Sequence, residues 1–223
     1  MPIEKLSKEQ KRTQAILKLS QESTTMRHYT LLRSEGLVIP SNQFQPCSLI
    51  IGIFNESRTL DDIRHLLNIA NFLSNEDTHM YLKLNVYQLF HIIPHLANWK
   101  ISNNLIAVIH ISNKISNYPG FEPEQVSYSL LYCRKSNNKR LNNHSYTNLI
   151  SLNGNKDYIR LFSNLLLRSG TTNEFALNLD EGMKDFVPVM NRCKINSISV
   201  INDSKEIEEH HRVLNLLELT NNG

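Results

Sequence analysis

From residue 46 onward the chain alternates short apolar runs with stretches of helical spacing, and few folds accommodate that pattern. Leu49-Ile50-Ile51, inside 48–53, reads as a buried strand, and Ile63, Leu66, Leu67, Ala70 and Leu73 give 60–73 one apolar helical face. Met80 to Leu84 alternates as a strand does, and Val86 to Ala97 is helical again, interrupted by Pro94. Strands are expected at 105–111 and 126–133, joined through the turn Tyr118-Pro119-Gly120. After a polar, basic stretch at 134–148 come a helix at 156–168, a strand at 174–179, a helix at 184–193, a strand at 196–201 and a helix at 203–218. Amphipathic helices between apolar strands bury both partners best when helices cover both faces of a mostly parallel sheet. The expected class is therefore α/β, a doubly wound sheet with helices on both faces.

Ahead of this domain, 46–223, apolar positions among many charges at 3–35 predict an N-terminal helical arm, 1–45, broken by Gly36 and Pro40. With 223 residues, 40% of them hydrophobic, the chain can bury one sizeable core. Its longest apolar runs, such as Leu105 to Ile109, fall far short of the roughly 20 residues that cross a bilayer, so a soluble, unsecreted protein without membrane contact is expected. Cys47, Cys133 and Cys193 are scattered, which argues against a disulfide framework and a cysteine metal site. His91 and His95 have helical spacing but lack a metalloprotease glutamate, and Pro94 disturbs the helix, so no metal is expected. Trp99 is expected to pack against the sheet edge. A formal charge of +3 is too small for a global field to attract nucleic acid, so any such contact must come from a local patch. The densest patch is Arg134, Lys135, Lys139 and Arg140, which could pair with phosphates or form a solvated loop.

In doubly wound sheets, ligands bind beyond the carboxyl ends of the strands. CSLIIGIFNES (47–57) delivers Ile53-Phe54-Asn55-Glu56 to such an end. The block EFALNLDEGMKDFVPVMNRCKINSISVINDS (174–204) resembles the cofactor half of permuted, β-class adenine-N6 and cytosine-N4 methyltransferases, whose pattern runs LVLDPFxGSGTTxxAAxxxGRxxIGIE. KDYIRLFSNLLLRS (156–169) resembles that family's cofactor-covering helix, VSYSLLYCRK (126–135) its strand HEhcLvgvKG, and CSLIIGIFNE the segment that ends in DPPW or DPPY. The order, catalytic strand first and cofactor strand last, marks the permuted class. Over about 46–218 the chain resembles most the METTL-type adenine-N6 methyltransferases, in which an active subunit pairs with a degenerate sister; ciliates use such a pair on DNA. The implied fold is a Rossmann-like methyltransferase domain.

The chain departs from the family at the ligand-facing positions. Asn178 stands for the first Asp of the cofactor motif, Gly182 alone remains of its turn glycines, and Ile201 takes the place of the ribose-holding acid. Ile53 replaces the catalytic acid, Phe54 and Asn55 the prolines, and Glu56 the aromatic residue that would stack a flipped base. From these letters the expectation is a catalytically inactive subunit, not itself an enzyme, with no cofactor of its own and a degenerate site at Ile53, Phe54, Asn55 and Glu56. By resemblance, S-adenosylmethionine belongs to a catalytic adenine-N6 methyltransferase partner in a heterodimer. Further DNA-binding subunits, DNA in preference to RNA, and a nuclear location are also implied. Two rival readings stand beside it: an active, divergent enzyme using Asn55 and Asp203, and a stand-alone nucleic-acid-binding or scaffold module.

Overall fold

The computed structural model describes residues 28–32, 46–54, 56–102, 105–111, 125–135, 149–153, 157–169, 175–179, 183–201 and 212. In chain order its elements are β1 (His28–Leu32), β2 (Cys47–Ile53), α1 (Leu60–Phe72), β3 (Ser74–Lys83) and α2 (Val86–Ile92), which a 3-10 turn (Ile93–Leu96) continues. There follow β4 (Lys100–Ile101), β5 (Ile106–Ile111), β6 (Gln125–Arg134), β7 (Leu149–Leu152), α3 (Tyr158–Ser169), β8 (Phe175–Asn178), α4 (Met183–Arg192) and β9 (Asn196–Ile201). The strands form one sheet in the order β1-β9-β8-β2-β3-β6-β5-β7, with β4 against β6. Among the described residues, only β6 runs against its neighbours β3, β4 and β5; the other pairings are parallel. This is the doubly wound, mostly parallel sheet expected.

Alternation along each strand sends successive side chains to opposite faces, and each face carries its own core. On one face Ile50, Met80, Leu82, Leu177 and Ile198 pack with Ile63, Leu66, Leu67 and Ala70 of α1 and with Ile92 and Trp99. On the other, Leu49, Ile51, Ile53, Tyr81 and Ala176 pack with Leu161, Phe162 and Leu165 of α3 and Phe186, Val189 and Met190 of α4. The ring of Phe162 meets that of Phe186 edge-on at 5.2 Å, which locks α3 to α4. As expected, Trp99 is buried at the sheet margin, where its Nε1 donates to Asn71 Oδ1 at 2.6 Å.

Helix starts follow local chemistry. Thr59 caps α1 by accepting from the Asp62 backbone, and Asp61 and Asp62 sit in its first turn, where carboxylates favour the helix dipole. Asn85 and Gln88 form a reciprocal capping box at α2. The Gln88 Nε2 also donates to the Arg58 carbonyl at 3.2 Å, which ties the segment after β2 to α2.

Several elements, the short β4 among them, depart from the expectation. Residues 28–32 form a parallel edge strand, not helix, because β9 offers a free edge in register His28↔Ser197 to Leu32↔Ile201. That pairing joins positions far apart in the chain, and local periodicity cannot report it. Strand β3 begins at Ser74 rather than Met80, and β7 forms just after the polar stretch, where periodicity predicts no strand. Of the expected helix at 203–218 only Arg212, which is helical, is described, and the turn at 118–120 and most of the N-terminal arm lie outside the described residues.

Candidate functional site

Strands β2, β8 and β9 are neighbours and parallel, so their last residues share one edge of the sheet. The fold therefore brings Ile53, Asn178 and Ile201, widely separated in sequence, to the ends of adjacent strands. Ile53 is fully buried with Leu49, Ile51 and Tyr81. Asn178 is also fully buried and pairs in register with Ile51 on one side and Ser199 on the other. Beyond it, Leu179 N donates to the Ile51 carbonyl at 2.9 Å, extending β8 towards α4.

Phe54 turns into the opposite core, 2% exposed, while its backbone N donates to the Lys83 carbonyl at 3.3 Å. Gly52 makes this possible. A Cβ there would lie 2.9 Å from both the Phe54 ring and Leu82 Cδ2, so any side chain would displace the ring. The sole aromatic residue of the tetrapeptide is thereby committed to the core. Glu56 is exposed in the turn that follows. Asn55 and Gly182 lie outside the described residues.

The cofactor-side helices bring two carboxylates to this edge. Asp157, just before α3, accepts from the backbone N of Asn153 and of Arg160 at 3.2 and 3.3 Å. Asp185 lies in the first turn of α4. Burial holds its carboxyl above the usual range; Lys184 opposes that shift and the charge of Asp157 adds to it. Two like charges near enough to repel favour a ligand that brings positive charge between them. One strand across from Ile53, Lys83 ends β3 with its ammonium 4.6 Å from the centre of the Tyr128 ring.

The basic cluster lies elsewhere. Because β6 is antiparallel, Arg134 and Lys135 leave the sheet at the edge opposite to that of Ile53, Asn178 and Ile201. Lys135 stacks on Trp99, with its Nζ 5.1 Å from the ring centre and 3.4 Å from the Asn71 carbonyl; burial lowers its pKa. Lys139 and Arg140 lie outside the described residues.

Sequence reasoning missed Lys83, Tyr128, Asp157 and Asp185. One signal was present: in Met80-Tyr81-Leu82-Lys83 the lysine shares the inward parity of Tyr81, where a strand facing a core carries apolar side chains. The acid pair left no comparable mark, since its members are distant in sequence.

No protein-family model matches the chain, and no curated protein does. Solved structures match its fold. M1.HpyAVI superposes with a TM-score of 0.61 at 13% identity, over 85% of this chain and 99% of that one. TTHA0409, a DNA modification methylase of Thermus thermophilus complexed with S-adenosyl-L-methionine, gives 0.60 at 11% identity, over 85% and 93%. The cytosine-N4-specific PvuII DNA methyltransferase gives 0.51 at 10% identity, over 86% and 94%.

These neighbours are DNA methyltransferases, and they overturn the expectation of a chain that is not an enzyme. The physical reason lies at the strand ends. Altered letters at Ile53, Asn178 and Ile201 do not empty the edge of chemistry, because Glu56, Asn178, Asp157, Asp185 and Lys83 place polar and charged groups on the elements that meet there. The acid pair would suit the ammonium and sulfonium charges of S-adenosylmethionine, whereas Asn178 is fully buried. Ile201 has no group to hold the ribose hydroxyls. The chain has the methyltransferase fold.

Proposed function

We propose that the chain is an S-adenosylmethionine-dependent methyltransferase of exocyclic amino groups in nucleic acid, acting on adenine N6 in DNA before RNA. It works paired with a second methyltransferase-fold subunit. One observation carries this reading: the strand bearing the tetrapeptide position and the two strands bearing the cofactor positions end side by side, in a fold shared with DNA methyltransferases. In this chain Asp157 and Asp185 would hold the cofactor, which when bound supplies an electrophilic methyl group. Glu56, exposed after β2, and Asn55, next to it in sequence, offer carboxylate and amide oxygens to the N–H donors of a target amino group. Ile53 and Phe54 contribute packing rather than hydrogen bonds.

Pairing is supported by α2 and the turn after it. Val86, Tyr87, Phe90 and Ile93 are 70%, 63%, 72% and 41% exposed and fall at helical spacing along one side. An apolar stripe left in water by a soluble domain marks a protein contact surface. The partner is proposed to carry an S-adenosylmethionine site of its own.

Methyl transfer from tritiated S-adenosylmethionine to adenine-containing DNA and RNA oligonucleotides tests the proposal, with the full chain alone and with its co-purifying partner. Label is expected in DNA adenine, with more transfer by the pair than by either chain. No transfer by the chain or the pair, with nucleic-acid binding intact, would leave the stand-alone binding module; absence of binding as well would reject both.

A further inference from the structure

We infer that Lys83, seated on Tyr128, is a phosphodiester-binding residue that positions the nucleic-acid strand beside the tetrapeptide. The inference deepens the proposed function and rests on it. Lys83 is the last residue of β3, and its Cα pairs with that of Ile53 on β2 and Leu130 on β6. Neighbouring strands are about 4.8 Å apart, so the lysine stem rises one strand away from the first tetrapeptide position.

Its surroundings are those of a ligand-binding cation. The ammonium lies 4.6 Å from the centre of the Tyr128 ring. Among the described residues no carboxylate forms an ion pair with it. Burial pushes the Tyr128 hydroxyl up to about 12, so at neutral pH the ring meets the ammonium as an uncharged π face. Such a face fixes the direction of a lysine without neutralising it, leaving its charge for an anion. Lys135 illustrates a different case, since it lies on Trp99 and within reach of the Asn71 carbonyl.

Charge is also divided along the catalytic edge. Asp157 directly precedes α3 and Asp185 lies in the first turn of α4, where a cationic cofactor would be favoured; Lys83 belongs to β3, next to the strand that presents the tetrapeptide. Lysine ammonium serves as a compact point charge for a phosphate oxygen.

The test is anisotropy of a fluorescein-labelled, adenine-containing single-stranded DNA with the full chain, titrated between about 50 and 200 mM salt. Lys83→Gln is expected to weaken binding severalfold and to lower the slope of log affinity against log salt by about 0.7, the loss of one phosphate contact on a single strand. Lys83→Arg should keep the wild-type slope. Lys83→Met, which retains an apolar stem over Tyr128, should behave as Lys83→Gln does and covers misfolding of that variant. An unchanged slope in both neutral variants overturns the inference and leaves the proposed function standing. Loss of S-adenosylmethionine affinity with an unchanged DNA slope overturns it in favour of a cofactor contact. A wild-type chain that binds neither DNA nor RNA rejects the nucleic-acid reading together with this one.

Discussion

The two ends of the sheet use charge in different ways. At the end carrying Arg134 and Lys135, polar groups are spent on the protein itself. Trp99 Nε1 bonds to Asn71, Lys135 covers the same indole, the Tyr132 hydroxyl lies 2.7 Å from His79 Nδ1, and Arg168 donates to the Leu149 carbonyl at 3.2 Å. At the carboxyl end of the parallel strands, burial and then the charge of Asp157 hold the Asp185 carboxyl above its usual range, and Lys83 rests on a ring. Lys135, a member of the densest basic stretch, therefore already has contacts within the protein. What matters is whether a charge already has an internal use.

The sharpest break in that comparison comes from Trp99→Ala. The indole is 5% exposed in the α1-side core, and its removal should cost about 3–5 kcal/mol in chemical denaturation. Nucleic-acid affinity per folded molecule should not change if this end is structural. Gly52→Ala probes the other end: the new methyl overlaps the Phe54 ring and Leu82, and overpacking of this kind costs about 1–3 kcal/mol. Because Phe54 leads directly into Asn55 and Glu56, methyl transfer should fall by more than the stability loss explains.

A smaller effect is expected from pH. The His28 ring fixes β1 to the sheet through Ser197 Oγ at 2.8 Å and Asn191 Oδ1 at 3.3 Å. Burial lowers its pKa below 6.5, and the bond to Asn191 opposes that shift. The unfolded chain then takes up a proton at higher pH than the folded one, so this contribution is present above about pH 6.5 and is lost as pH falls through the folded pKa. His28→Phe should flatten that part of the stability profile, and an unchanged profile would show that the ring does not set the edge pairing. Smallest of all, a joint change of Arg134 and Lys135 to Gln should leave the salt slope of DNA binding near that of the wild type. A drop as large as that expected for Lys83→Gln would reverse the assignment of the two ends.

Much of this was legible in the chain. The apolar run Leu49 to Ile51 and the helical faces of 60–73 and 184–193 are local signals, and they place β2, α1 and α4 within a few residues. The resemblance to permuted methyltransferases rests on the order of such elements, and the fold agrees with it. The expectation of an inactive chain rested on single letters. Ile53 and Ile201 were judged against a family pattern, whereas α3, α4 and β3 also bring polar groups to this edge.

The sequence alone determined the α/β class, the number and order of most elements and which face of each is apolar, because periodicity is written in neighbouring residues. Only the tertiary structure decided that β6 runs antiparallel and carries its basic end away from the strand ends. Only it turned Phe54 into the core, paired β1 with β9, set Asp157 near Asp185 and placed Lys83 next to Ile53. Each of these depends on contacts between residues far apart in the chain, whose energies arise from register and packing that no local pattern encodes.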